Sequence, residues 1–568
     1  MTIDLNILIG GAAGQGVHSI SAPLGKALVR HGAHVFTIQD YQSRIRGGHL
    51  FNVIRVSDAP LSSPRLGVDI LVALNQETLD LHREEVSPEG IVIYDASQVK
   101  ETPEGIKSLA LSPDTVLPDT EAGDIAVNAG ACGAILGLVN VPVAGLVSLL
   151  EETFGAKGEE VVGWNRQAAQ NGHKMGKDKG HPFSLADIAK PAQPRLLIAG
   201  HEAMALGALA AGLNFISGYP MTPWTSLFTA VSQRALEWGV VVEQAEDEIA
   251  AMGMAVGASF AGARAMTGTS GGGFCLMTET VGLAAMTETP LVCVVAMRPG
   301  PSTGLPTRTS QGDLEFVLFA GQDDSPRALL APGTPAQGYA LTVKAFDLAE
   351  RYQIPVFILT DQFFADSQVT CTAKDFPAVK VESAVVFGPS EGAYERYAIT
   401  ESGVSPRRLP GFGPELVVAD SDEHTPDGHL TEDLEVRIAM HDKRLRKLKG
   451  LVQELDGVTV AGREDAGLTL LCWGSSFGPV KETLDRLQQE NTPVRMVHLS
   501  ELWPFPKDAV TKALQNAEKI IGVEGNATGQ LNRLLRQETG ITADRLILKY
   551  DGRPFTPEYI LRELKGQI

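Results

Sequence analysis

Between residues 195 and 360 the chain repeats one pattern, a short and almost wholly apolar run followed by a stretch of helical periodicity. The apolar runs fall at Arg195–Ala199, Phe215–Gly218, Val240–Ala245, Ala263–Gly268, Leu291–Met297, Arg327–Leu330 and Pro355–Thr360. Helical patterns stand between them, with His201–Gly212 rich in small residues and Pro335–Tyr352 plainly amphipathic. A strand that shows no polar alternation is buried on both faces, so helices must cover both sides of its sheet. That requirement predicts a doubly wound parallel sheet. In such sheets ligands sit beyond the carboxyl ends of the strands. Tyr219–Thr225, Glu246–Glu248, Thr269–Gly273 and Arg298–Gln311 are thereby predicted to share one rim.

On that rim the stretch Glu243–Ser270 draws attention. Three consecutive carboxylates, Glu246, Asp247 and Glu248, precede a helix built largely of Ala, Gly and Met. Two readings are open at this level. Acidic residues at a helix start complement the positive end of its dipole and need no further role. Alternatively, the small residues let something pack against the helix backbone, and a carboxylate serves it.

The flanks read as further α/β regions. Leu5–Gly10 is a strand, Gly11–Gly16 (GAAGQG) a tight corner, and a helix follows to about His31. Such a corner either cradles a phosphate on its backbone N–H groups or simply turns the chain. It has neither the dinucleotide spacing nor the lysine of a Walker loop. More strands are expected at His34–Gln39, Leu50–Val56, Asp69–Leu74 and Gly90–Tyr94. Tyr41–His49 (YQSRIRGGH) is a basic loop, open to an anion or merely solvated. Ala131–Leu150 reads as a buried helix, a break and a second short helix, since Asn140 and Pro142 spoil a membrane span. Trp164–Pro194 is polar and punctuated by Gly and Pro, the pattern of a linker. Ser390–Arg437 is long and irregular, and Asp422, Glu423, His424 and His429 cluster in it as either metal ligands or a hydrogen-bonded clasp. A basic helix at Lys443–Leu455 leads into a last α/β region with strands at Leu468–Trp473, Val494–Leu499, Lys519–Val523 and Leu546–Tyr550. Glu524–Leu531 makes another strand–turn–helix corner, read as a domain interface.

Composition narrows the functional classes. At 568 residues the chain has room for three or four domains. A net charge of −20, without a basic run of the length that binds phosphate backbones, argues against nucleic-acid binding. Met1 leads straight into a strand, so no signal peptide is expected, and no membrane association. Five scattered cysteines fit reduced thiols in a cytoplasmic protein and do not make a four-cysteine iron–sulfur site.

YPMTP (Tyr219–Pro223), EDEIAAMG (Glu246–Gly253) and MRPGPSTGLPTRTSQGDL (Met297–Leu314), in that order, resemble the α subunits of 2-oxoacid:ferredoxin oxidoreductases. The 2-oxoglutarate branch is the most similar. Gly11–Gly16 and RIRGGH resemble the γ domain of that family, here fused in front. The resemblance spans nearly the whole chain and implies three α/β domains. These are a γ-type, CoA-associated domain (1–183), a pyrimidine-binding domain (196–440, with the excursion 390–437) and a transketolase-C-like domain (441–568), with a linker (184–195) between the first two. YPMTP departs from the commoner YPITP by a tolerable Met-for-Ile exchange.

The same resemblance implies roles. Glu248 is the carboxylate set against N1′ of the thiamine diphosphate aminopyrimidine, with Glu246 and Asp247 as a field that disfavours its ionisation. Tyr219, Pro220 and Thr222 line the cofactor, and Thr222 also meets substrate. Arg298 holds the 2-oxoacid carboxylate, which a bidentate guanidinium suits. Arg308 holds a distal carboxylate or, equally, forms a salt bridge with Asp313 or Glu315. Gly11, Gly14, Gly16 and Arg46 are CoA contacts. A GDG motif with its following Asn is missing, as is a cluster-binding cysteine set. The resemblance therefore implies a β subunit carrying Mg²⁺, the diphosphate and a [4Fe-4S] cluster, in a dimer of αβ heterodimers that reduces ferredoxin. Two alternatives stay open: the same enzyme type acting on pyruvate, branched-chain or aryl 2-oxoacids, and a non-catalytic CoA- or nucleotide-binding subunit.

Overall fold

The computed structural model describes residues 3–42, 48–101, 105–118, 124–388 and 392–565. The chain divides into two compact units. One holds residues 1–199, 366–375 and 556–559, and the other holds 200–365, 376–555 and 560–568. Three sheets result, as the alternating pattern requires, one in the first unit and two in the second.

The first unit is built on an eight-stranded mixed sheet. Its parallel half runs Asp4–Ala12, Val68–Ala73, Val86–Asp95, Lys107–Leu111. Its antiparallel half adds His49–Ser57, His34–Asp40, Gln368–Thr372 and Arg195–Ala199. Arg195–Ala199 thus pairs in this sheet rather than opening the central one. Its two central pairs, Leu197 with Thr370 and Ile198 with Val369, join segments far apart in sequence.

The linker reading of residues 164–194 gives way to structure over most of its length. Glu159–Lys179 is a 21-residue helix packed on the helix Asp124–Leu138. A Cβ on Gly172 would lie 2.0 Å from the carbonyl oxygen of Gly130, and one on Gly176 would lie 2.1 Å from that of Ala134. Reciprocally, Gly133 faces Ala169 at 2.0 Å and Gly137 faces His173 at 2.1 Å. Glycines at helical spacing on both partners bring two backbones into contact, the small-residue packing familiar from closely crossed helices. Glycine marks a turn when it is isolated and an interface when it recurs every three or four residues, and here it does the second.

In the second unit the central sheet has the order Glu501–Trp503, Ala328–Leu330, Pro355–Asp361, Leu291–Met297, Ala265–Thr269, Phe215–Gly218, Val241–Gln244. All of its pairs are parallel except the first, where Glu501–Trp503 arrives from far downstream and adds antiparallel to Ala328–Leu330. Sequence order reverses at Phe215–Gly218, which pairs with Val241–Gln244 on one side and Ala265–Thr269 on the other. This is the switch point beyond which α/β sheets open a crevice. Helices cover both faces and bury two apolar layers, one around Phe274, Met277 and Phe357, the other around Trp224, Phe346 and Ile358.

The third sheet runs Val458–Gly462, Val494–Leu499, Leu468–Trp473, Lys519–Glu524, Arg545–Leu548 and is parallel except for its first pair. Gln311 fastens it to the central rim. Its Nε2 donates to Trp473 O at 2.8 Å, its Oε1 accepts from Gly525 N at 2.8 Å, and its carbonyl accepts from Asn526 Nδ2 at 3.1 Å.

The irregular excursion is held by buried charge. Lys443 and Lys447 both reach Glu288 at 2.5 Å, with all three side chains at most 1% exposed. Burial pushes the Glu288 carboxyl up, but Lys447, Lys443 and Arg396 outweigh it and hold the group near 2. Arg407 pairs with Glu350 at 2.9 Å. The candidate metal loop joins this framework. Glu423 binds Arg437 and Arg444 at 2.8 Å each, His424 is buried against the Tyr397 ring, and His429 faces Asp427 at 3.1 Å. These contacts fit the clasp of the two readings.

Candidate active site

The rim beyond the switch point is assembled from the ends of four strands. After Gly218 the chain turns through Tyr219–Pro223 into the helix Trp224–Ser232. Trp224 is buried and lies across two strand ends, since a Cβ on Gly218 would fall 2.9 Å from its Nε1 and one on Gly268 would fall 2.3 Å from its Cε3. That indole fixes the turn on the sheet. Tyr219 and Pro220 are exposed there, and Thr222 is half-buried.

The acidic triplet separates into three fates. Glu246 is exposed. Asp247 is the N-cap of the helix Glu248–Phe260, its side chain accepting from Ala250 N at 2.8 Å. Glu248 alone is buried, 3% exposed. The expected field of two carboxylates around Glu248 is therefore corrected. A β-strand that ends where a helix begins sends successive side chains in different directions, and Asp247 is committed to capping.

Glu248 reaches the first turn of the neighbouring helix, Gly271–Met286. A Cβ on Gly273 would fall 2.3 Å from Glu248 Oε1 and 2.1 Å from Thr269 Oγ1. Only glycine fits between these groups. Thr269 Oγ1 donates a long hydrogen bond to Glu248 Oε1 at 3.4 Å, and among the described residues no cation pairs with this carboxylate. Asp247 is accounted for by capping, while Glu248, in the first turn of the same helix, is buried against the neighbouring one.

Arg298 follows the strand Leu291–Met297 and donates from Nη1 to the carbonyl of Thr222 at 2.7 Å. The two residues are thereby brought together, as the rim geometry predicts. Burial pulls the Arg298 guanidinium down, while Asp313 and then Glu248 pull it up. Its Nε is buried without a partner, as are Asp313 Oδ2 and Ser270 Oγ. Polar atoms left without partners in this way are open to a ligand or water. Burial raises the Asp313 carboxyl to about 6, against the pull of Arg298.

Arg308 lies farther along the loop, packed against Gly552, whose Cβ would fall 3.0 Å from Arg308 Cβ. Of the two carboxylates named for a salt bridge with it, Glu315 pairs with Arg533. Trp224, Thr269, Gly271 and Gly273, within segments expected on the rim, shape it together with Asp313.

In the first unit the GAAGQG corner is largely filled by its own side chains. Gln15 Oε1 accepts from Ala12 N at 2.7 Å and from Asn75 Nδ2 at 3.0 Å. Asn128 Nδ2 donates to Gln15 O at 2.7 Å and would meet a Cβ on Gly16 at 3.0 Å. Gly11 is crowded by Gln15, Val17 and Leu74, whereas Gly14, at φ +99°, faces open space. Arg46 lies outside the described residues.

The fit of a thiamine-type aminopyrimidine can be judged on Glu248 itself. The group needs a buried carboxyl that is not claimed by a cation and a backbone that stands clear, and Glu248 over Gly273 offers both. Among the described residues, no helix is long and apolar enough to cross a membrane.

Comparison with known proteins agrees with this geometry. A family profile described as the thiamine diphosphate-binding domain of pyruvate flavodoxin/ferredoxin oxidoreductase matches residues 206–443. Two more, for pyruvate ferredoxin/flavodoxin oxidoreductase and for core domain II of pyruvate:ferredoxin oxidoreductase, match 6–175 and 466–560. The chain is 31% identical to subunit alpha of 2-oxoacid:ferredoxin oxidoreductase 2 of Aeropyrum pernix, over 97% of this chain and 96% of the relative. It is 34% identical to the 2-oxoglutarate synthase subunit KorA of Archaeoglobus fulgidus, over 66% of this chain and 99% of that one. Among solved structures, the 2-oxoglutarate:ferredoxin oxidoreductase of Magnetococcus marinus, with 2-oxoglutarate, coenzyme A and succinyl-CoA bound, superposes with a TM-score of 0.91. It shares 33% identity and covers 99% of both chains. Taken with a rim that places the buried Glu248 and the Thr222–Arg298 pair beyond the switch point, these likenesses settle the kinship: the chain belongs to the family of 2-oxoacid:ferredoxin oxidoreductase alpha subunits.

Proposed function

We propose that this chain is the alpha subunit, with a γ-type region fused in front, of a thiamine diphosphate-dependent, CoA-acylating 2-oxoacid:ferredoxin oxidoreductase. Its substrate is 2-oxoglutarate, decarboxylated to succinyl-CoA and CO₂ with reduction of ferredoxin, or formed in the reverse carboxylation. The observation that carries the reading is Glu248, buried over the bare backbone of Gly273 and, among the described residues, unpaired with any cation. Glu248 meets N1′ of the aminopyrimidine, and the exposed Tyr219 and Pro220 with Thr222 border the ring. Thiamine diphosphate supplies, when bound, a nucleophilic carbon that accepts the 2-oxoacid carbonyl.

This chain's own residues do the holding. Glu248 shares a proton with the ring nitrogen. Arg298, pinned by the Thr222 carbonyl, presents its guanidinium to the substrate's 1-carboxylate. Arg308 takes the distal carboxylate. A β subunit contributes Mg²⁺, the diphosphate contacts and a [4Fe-4S] cluster, and two αβ pairs assemble. The γ-type unit brings CoA through Gly11, Gly14, Gly16 and Arg46. The full-length likeness to a 2-oxoglutarate enzyme with CoA species bound supports the substrate and CoA assignments.

The test is co-expression with the β-type partner, followed by CoA-dependent reduction of a viologen dye across a panel of 2-oxoacids. Highest kcat/KM for 2-oxoglutarate is expected, with Glu248→Gln lowering kcat by at least about 100-fold while assembly is retained. Preference for pyruvate or a branched-chain acid would move the assignment to the other substrates. Undiminished turnover by Glu248→Gln would remove the enzymatic reading of this site.

A further inference from the structure

On the rim one hydroxyl hydrogen faces two acceptors. Thr269, the last residue of the strand Ala265–Thr269, is fully buried. Its Oγ1 lies 3.4 Å from Glu248 Oε1 and 3.6 Å from the thioether sulfur of Met221. A threonine hydroxyl carries a single hydrogen, so it serves one of these at a time. The contact to the carboxylate is longer than an ordinary O–H···O bond and does not commit the hydrogen. Helix backbone closes another side, since a Cβ on Gly273 would fall 2.1 Å from Thr269 Oγ1. Met221 is held as well: it lies in the turn that Trp224 fixes, and its carbonyl accepts from Thr225 N at 3.2 Å. A turn, a strand end and a helix start thus bring a thioether, a hydroxyl and a carboxyl into one row.

We infer that Met221 is a positioning residue for Glu248, acting through Thr269: its sulfur receives the hydroxyl hydrogen while Glu248 holds a proton and releases it to Oε1 when the carboxyl is charged. The inference rests on the reading of Glu248 as the group that shares a proton with the aminopyrimidine. A hydrogen bond to an ionised acceptor is roughly twice as strong as one to a neutral acceptor, so the hydrogen follows the charge. A buried hydroxyl that faced Glu248 alone would have no other place for its hydrogen, and would hold the carboxyl in its charged form. The thioether is a weak acceptor, which offers the alternative without outbidding the carboxylate. Glu248 can then take up and return a proton while its side chain stays over Gly273, with only the hydroxyl turning. The methionine of YPMTP thereby has a chemical use that a hydrocarbon side chain of the same size could not fill.

The experiment follows from that difference. Met221→Leu keeps the volume and removes the acceptor. It is made alone and combined with Thr269→Val, in the complex assembled with the β-type partner. Two quantities are read: the Kd of thiamine diphosphate, by titration calorimetry on complex freed of cofactor, and kcat for viologen reduction by the loaded enzyme. With the hydroxyl present, Met221→Leu is expected to raise Kd about threefold and lower kcat about fivefold, while KM for CoA stays within about twofold. In the Thr269→Val background the same change should alter Kd and kcat by no more than about 1.5-fold, because no hydrogen is left for the sulfur to accept. Equal effects in the two backgrounds would mean that the methionine only fills space, and no effect in either would mean that its sulfur is not used; both results overturn the inference. If Thr269→Val does not assemble, Thr269→Ala supplies the background without the hydroxyl. Should Glu248→Gln bind the cofactor and turn over as the parent does, the reading of Glu248 is what fails.

Discussion

Two glycine-rich corners, each leading from a strand into a helix, look alike in sequence and differ in what their hydrogen bonds do. In the first unit, Gly10–Gly16 turns into the helix Val17–His31, and Gln15, Asn75 and Asn128 satisfy the corner among themselves. In the second, Ser270–Gly273 opens the helix Gly271–Met286 and leaves Ser270 Oγ, Asp313 Oδ2 and Arg298 Nε buried without partners nearby. The first corner spends its polar groups on its own stability. The second keeps them for something else. Glycine spacing reports where backbone is bare, and only the accounting of donors and acceptors reports whether that bare backbone awaits a ligand.

The contrast can be broken most sharply at Gly273. Gly273→Ala would drive a methyl to within 2.3 Å of Glu248 Oε1, so the carboxylate must move. The expected result is a fall in kcat of about 100-fold, measured as viologen reduction by the assembled enzyme, with the melting temperature nearly unchanged. Equal activity would mean that the Glu248 position is not the one used.

A smaller effect should appear at Asp361, a rim carboxylate that is buried but satisfied, accepting from Ser475 Oγ and from Phe364 N at 2.8 Å. Burial raises it to about 6, with the hydrogen bonds from Ser475 and Phe364 opposing. A carboxyl whose folded value lies above its unfolded one favours the native state below the unfolded value, and that advantage is lost as pH rises through about 6. Asp361→Asn removes the titration. Its stability relative to the parent should therefore improve between pH 4 and pH 7, by on the order of 2 kcal/mol, as read from urea melts at both pH values. A constant difference across that range would contradict the assignment.

The smallest change is expected in the self-satisfied corner. Asn128→Ala removes the donor to Gln15 O and should cost about 1 kcal/mol of stability in the first unit. Turnover at saturating substrates should not change, and a loss of turnover larger than the loss of folded enzyme would show that Asn128 does more than brace the corner.

Much of this was legible beforehand. The apolar runs Phe215–Gly218 and Leu291–Met297 coincide with the observed strands, because a strand buried on both faces has no polar residue to blur its ends. The rim followed from that parallel topology. Misreadings arose where one residue type has two physical uses. Glycines in 164–194 were taken for flexibility and are helix–helix contacts at Gly172 and Gly176. Glu246 and Asp247, expected as a field around Glu248, are an exposed side chain and a helix cap. The seating of Asp313 on Gly271 joins residues 42 positions apart, and no local pattern encodes that meeting.

The composition of the first sheet has a temporal consequence. Its strand His34–Asp40 pairs with Gln368–Thr372, and Gln368 N reaches Thr37 Oγ1 across 331 residues of chain. At about 5–20 residues per second a ribosome needs roughly 15–70 s to make the intervening length. Throughout that interval the edge of His34–Asp40 lacks its strand partner, and an unpaired edge invites other chains. The nascent protein must therefore carry an open sheet for most of its synthesis, so the early chain is most vulnerable to aggregation before residue 372 is made.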